Sequence, residues 1–253
     1  MSAGRAAELI VARDVEALAA LAADRLAREL AAAGSRAEGQ VEIALAGGHT
    51  PRRCYELLAR DARVPWARLS VRPGDERAVA PDSPDSNARL LRESLVAPGA
   101  LDAGRLHAPF ATAPRGPADV EAAAAAFDRA LPARFDLVLL GLGADGHVAS
   151  LFPGSPALQE RERGCVVAQA PVPPIVRVTL TPPRLLSAGV LLVLAAGEEK
   201  AAAVARALEG PLDLAACPAQ LARHATWLLD IAAASRLQRV RPPRAGDPPR
   251  AVS

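Results

Sequence analysis

The chain has 253 residues, a net charge of +2 and charged residues at 23%, so it lacks the basic surface that nucleic-acid binding needs. Hydrophobic residues make up 51% and aromatics only 3%, which implies a sizeable core built from Ala, Leu and Val through many small contacts. No apolar run is long enough to span a bilayer, and the N-terminal MSAGRAAELIVARDVEAL carries charges every few residues, unlike a signal peptide. Cys54, Cys165 and Cys217 are far apart, odd in number and without metal-ligand spacing. The expectation is a cytoplasmic protein with reduced, buried thiols, no nucleic-acid partner and no membrane partner.

The first predicted element is a long amphipathic helix from Val15 to Ala33, with Asp14 near its start and Gly34 at its end. VEIALAGGHTP follows as a short strand ending in glycines, with Pro51 at the first position of the next helix, RRCYELLARD. LSVRPGDER reads as a strand running into a polar loop, and DSNARLLRESLV as a helix capped by Asp85 or Ser86. Ala118 to Leu131 is an Ala-rich helix, after which FDLVLLGLG is the clearest strand of the chain. QAPVPPIVRVTLTPPRLLSAG gives a loop, a short strand and a helical turn. VLLVLAAG is a strand before the helix EEKAAAVARALEG, and ATWLLDIAAASRL is a strand running into a short helix. His107 falls in a short strand and His224 just before the last one, both as structural residues. The single domain is expected to span residues 1–237. Residues 238–253 have too few apolar side chains to bury and are expected to be a disordered tail.

Strands that are apolar on both faces and alternate with helices imply an α/β, Rossmann-like, mainly parallel sheet with helices on both faces. Ligands of such sheets sit at the carboxyl ends of strands. Four polar or glycine-rich stretches fall there: Gly47-Gly48-His49-Thr50, Asp75-Glu76-Arg77, Gly143 to His147, and Gly197 to Lys200.

In AGGHTP, Gly47 and Gly48 can turn amides toward an anion, and Thr50 adds a hydroxyl at a helix start; an ordinary strand-to-helix turn is the plainer reading. Asp75-Glu76-Arg77 is either a solvated charge cluster or a substrate contact, with Arg77 suited to hold an anionic oxygen. GLGADGH spells G-x-G-x-x-G, but Phe152-Pro153-Gly154 stops any helix after it and no strand ending in an acid follows at the right distance. A dinucleotide turn is therefore disfavoured. Asp145, two residues before His147, can instead orient the imidazole as a general base. Arg177 and Lys200, the only lysine, lie beside strands; a lysine near a helix N-terminus is unfavourable unless an anion binds there.

The blocks AGGHTPRRCYELLA, DERAVAPDSPDSNARLLRESL, FDLVLLGLGADGHVASLFPGSPAL and RVTLTPPRLLSAGVLLVLAAGEEKAAAV, in this order, resemble the 6-phosphogluconolactonase family. The resemblance runs from about Val41 to Ala234. It implies the glucosamine-6-phosphate deaminase/ribose-5-phosphate isomerase type of fold and a phosphorylated sugar lactone as substrate, with no metal or other cofactor. With that substrate, His147, Asp145 and Arg77 are expected to serve catalysis, and Gly47, Gly48, His49, Thr50, Asp75, Gly143, Arg177 and Lys200 substrate and phosphate binding. His49 stands in a loop where the family commonly has Ser. The related deaminases usually have Asp-Glu-Tyr where this chain has Asp75-Glu76-Arg77. They carry a catalytic Glu in an N-E-P-G-like stretch where this chain has Leu151-Phe152-Pro153-Gly154. The alternatives are such a deaminase-like isomerase, or a sugar-phosphate sensor without turnover. The sensor is disfavoured because only one helix and a linker precede Val41, too little for a DNA-binding unit.

Overall fold

A computed structural model describes residues 7–36, 39–238 and the backbone of 250–252. The strands are β1 (Glu8–Ala12), β2 (Val41–Leu45), β3 (Leu69–Pro73), β4 (Asp75–Arg77), β5 (Leu137–Gly141), β6 (Cys165–Gln169), β7 (Val176–Leu180), β8 (Val190–Ala195), β9 (Thr226–Asp230) and β10 (Arg250–Val252). The helices are α1 (Val15–Arg36), α2 (His49–Leu58), α3 (Asn87–Leu91), α4 (Pro117–Arg129), α5 (Pro182–Leu186), α6 (Ala201–Glu209) and α7 (Ile231–Ala234).

Seven strands form one sheet in the order β10-β1-β9-β8-β5-β2-β3. Every pair in it is parallel except β1 with β10. A separate antiparallel sheet has the order β4-β7-β6. The large sheet is apolar on both faces because alternate residues of each strand enter different cores. In β5, Leu137 and Leu139 pack with α1 and α2, whereas Val138 and Leu140 pack with Phe127 of α4 and Trp227. Trp227 is fully buried and donates its indole N–H to Ala222 O at 2.9 Å. The scarcity of rings makes the aliphatic helix faces decisive. Leu18, Leu26 and Leu30 of α1 are buried, and truncating one to Ala costs roughly 2–5 kcal/mol.

Several boundaries depart from sequence expectation. α1 continues past Gly34, which lies inside the helix with Pro65 packed against it, leaving no room for a side chain. α2 starts at His49 instead of Pro51, because Gly48 takes a φ of 98° and turns the chain two residues earlier. Ser86, not Asp85, caps α3, its hydroxyl accepting from the amide of Arg89 at 3.1 Å. Asp75-Glu76-Arg77 is a strand rather than a polar loop. β1 and β6 form without having been expected. His107 lies outside any strand, though its amide donates to Val71 O at 2.9 Å beside a single bridge at Leu106. Most of the expected tail, 239–249 and 253, lies outside the described residues, while 250–252 pair with β1.

Chain order in the large sheet reverses at β2. The chain steps outward to β3 and then crosses back over β2 to β5. The carboxyl ends of β2 and β5 diverge at this switch point, which opens a crevice in such sheets. The small sheet stands over that opening, since β4 follows β3 after a single residue, Gly74.

Candidate active site

A cleft of about 400 Å³ lies at the switch point. Its walls come from the turns after β2, β5 and β8 and from β4 and β7 of the small sheet. It brings together Gly47, Gly48, His49, Thr50, Asp75, Arg77, Gly143, His147, Arg177 and Lys200. Asp145 stands behind the wall and acts on it through His147.

β5 ends at Gly141 and its turn closes tightly, with Gly143 N donating to His147 O at 2.9 Å and Gly146 at φ 95°. Asp145 Oδ1 accepts from the amide of His147 at 3.1 Å and meets its Nδ1 at 2.6 Å. A carboxylate only accepts, so Nδ1 carries the hydrogen and the basic lone pair is on Nε2. Burial alone would raise the Asp145 carboxyl; the hydrogen bonds from His147 outweigh it and hold the group below its usual value of 3.8. Phe152 stacks obliquely on the imidazole, centroid to centroid at 4.4 Å. Gly143 lies directly beneath the ring, where a Cβ would sit 2.1 Å from Nδ1. Both neighbours restrict the imidazole to one orientation.

The small sheet supplies the charge. Arg77 and Arg177 face each other across the β4–β7 register. Like charges directly opposite on a sheet repel. Arg177 is only 7% exposed, with Nε donating to Pro174 O at 2.7 Å. Burial, and secondly Arg77, pushes its guanidinium below the ordinary value. Arg77 Nη1 donates to Asp85 O at 2.8 Å and to Asn87 Oδ1, while its buried Nε has no hydrogen-bond partner among the described residues. Two apposed arginines lining the cleft have the chemistry to meet an anionic oxygen. Across the cleft, Gly48 and Thr50 open α2, Lys200 caps α6, and His49 is exposed at the rim.

Four supporting residues escaped the sequence reading. Arg206 of α6 donates to Asp145 O at 2.9 Å and pins the β5 turn. Asp230, at the end of β9, accepts from Gly197 N at 3.1 Å and holds the turn that carries Lys200. Ser150 Oγ donates to Asp75 Oδ2 at 2.5 Å, tying the β5 turn to β4. Asn87 lines the cleft between β4 and the glycine loop. Only Asp230, an acid ending an apolar run, left a local trace in the sequence; the others depend on distant packing.

Residues 13–229 match the family model described as "Glucosamine-6-phosphate isomerases/6-phosphogluconolactonase", and the chain belongs to that family. It is similar to a 6-phosphogluconolactonase of Streptomyces coelicolor, 40% identical over 92% of this chain and 95% of the relative. It is also similar to one of Mycobacterium tuberculosis, 35% identical over 88% of this chain and 96% of the relative. Among solved structures, a 6-phosphogluconolactonase from Trypanosoma brucei aligns with a TM-score of 0.81 and 29% identity, over 93% of this chain and all of that one. A monomeric glucosamine-6-phosphate deaminase aligns at 0.75 with 22% identity, over 90% of this chain and 99% of that one, which shows the fold alone.

Proposed function

We propose that this protein hydrolyses 6-phospho-D-glucono-1,5-lactone to 6-phospho-D-gluconate, the lactone-opening step of the oxidative pentose phosphate route, through residues 1–237 acting as one lactonase domain. The observation that carries the reading is the 2.6 Å contact of His147 with Asp145 in the same cleft as the Arg77/Arg177 pair. It joins a general base to an anion site. The named lactonase relatives support the same substrate. Phe152 lies against His147 where the deaminases need a proton-transferring glutamate, and a phenyl ring cannot serve that reaction.

A water molecule near His147 gives a proton to Nε2 while its oxygen attacks the lactone carbonyl carbon. Asp145 stabilises the imidazolium that results. The carbonyl oxygen gains negative charge, met by the Arg77 guanidinium. The bond from the carbonyl carbon to the ring oxygen then breaks, and His147 returns its proton to that oxygen. Gly47, Gly48, Thr50, Arg177 and Lys200 hold the phosphate, with His49 at the rim and Asp75 on the sugar hydroxyls. Binding energy from this non-reacting end aligns the carbonyl with the base.

The test is acid release from freshly prepared lactone in a pH-stat, with glucosamine 6-phosphate run in parallel. Acceleration above the spontaneous rate without ammonia release is expected. Ammonia from the amino sugar with no acceleration of lactone opening would reverse the reading.

A further inference from the structure

Asn87 is only 2% exposed, yet its side chain reaches the cleft. Nδ2 donates to Asp75 O at 2.7 Å and to Asp75 Oδ1 at 3.2 Å, and Oδ1 accepts from Arg77 Nη1. These partners fix the amide's orientation: a guanidinium only donates, whereas a carbonyl and a carboxylate only accept. The same Oδ1 packs on Gly47 so closely that any Cβ there would overlap it. The backbone N–H of Asn87 donates to buried Glu76 at 2.7 Å. One residue therefore ties the glycine loop after β2 to a carboxylate and a guanidinium on β4 and to the start of α3.

Asp75 and Arg77 are two positions apart on β4 and so share a face. Opposite charges so placed tend to close on each other. Here the Asn87 amide stands between them, offering an acceptor to the cation and donors to the anion. No other side chain of this size does both: aspartate offers Asp75 no donor, and leucine offers neither group anything. We infer that Asn87 is a positioning residue that keeps Arg77 and Asp75 apart and fixes both against the glycine loop, so that the Arg77 guanidinium is preorganised toward the lactone carbonyl. Preorganised donors are effective because they need no rearrangement as charge develops.

The inference rests on the lactonase reading, and a double-mutant cycle separates the two. Asn87→Ala should lower kcat/KM about 100-fold in the parent protein, the scale of a misplaced catalytic group. In an Arg77→Ala background it should cost no more than about threefold, because its principal client is already gone. Equal losses in both backgrounds would overturn the inference. Asn87→Asp keeps the shape that packs on Gly47, guarding against a folding failure. It should melt within a few degrees of the parent and still lose at least tenfold in kcat/KM, since it pairs with Arg77 and repels Asp75; parent-like kinetics would overturn the inference. The same cycle read by calorimetric titration with 6-phosphogluconate needs no turnover. A parent that opens no lactone fails the functional reading, while the titration still decides for Asn87: non-additive losses of affinity support its role and additive ones overturn it.

Discussion

The turn after β5 and the antiparallel sheet above it supply different things to the same cleft. The turn gives one imidazole held by short-range contacts: Asp145 two residues away, Gly143 beneath the ring and Phe152 against it. The small sheet gives fixed positive charge: the long-range register sets Arg177 opposite Arg77, while backbone carbonyls of Pro174 and Asp85 hold the two guanidinium groups. In the proposed reaction the first region transfers the proton, and the second meets the negative charges of the substrate. Substitutions in the turn should therefore act on turnover, and substitution of Arg177 in the sheet on affinity, whereas Arg77 serves the reacting carbonyl.

The largest expected effect is that of His147→Ala, which should lower kcat by about two to four decades, the usual loss for a general base. Gly143→Ala should follow, because a Cβ there collides with the imidazole. A ring shifted by about 1 Å costs roughly 100-fold in kcat, and a steady-state comparison with the parent measures it. Arg177→Ala should raise KM by roughly 10- to 100-fold through loss of a charged hydrogen bond, with kcat little changed. Its Tm should hold or rise, since the repulsion with Arg77 is relieved. Lys200→Ala, at the more open edge, should raise KM roughly tenfold; an unchanged KM would remove it from the phosphate site.

The smallest effect is on stability. Asp145 is held below its ordinary carboxyl value of 3.8, so its pairing stabilises the fold above about that pH. The stabilisation is lost as pH falls through the depressed value. Asp145→Asn should therefore melt below the parent near neutral pH, and the gap in Tm should close on acidification. A gap that widens toward low pH would contradict the assignment.

The same two regions differ in what could be read before the fold was known. β2, β5 and β8 are mostly apolar runs with glycine at or shortly after their ends, and such runs announce a parallel sheet whose ends bind ligands. Asp145 and His147 lie two residues apart in sequence, so their pairing was legible. β4 is three charged residues, and its strand character comes from pairing with β7, about 100 residues later. Nothing local distinguishes it from a loop. Ser150 and Asp75 meet across 75 positions, and Asn87 gains its place only when α3 docks on β4. The sequence singled out Arg77 and Arg177 individually, but not their opposition, which is a property of register.

A substrate gripped at its phosphate by Arg177 and opened at its carbonyl by the turn should lose binding and turnover separately. The most direct measurement is kcat and KM for lactone opening across the cycle of parent, His147→Ala, Arg177→Ala and the double variant. His147→Ala should lower kcat with KM nearly unchanged, Arg177→Ala should raise KM with kcat nearly unchanged, and the double variant should multiply the two losses. Parent-like kcat in His147→Ala, or a kcat collapse in Arg177→Ala, would contradict that separation.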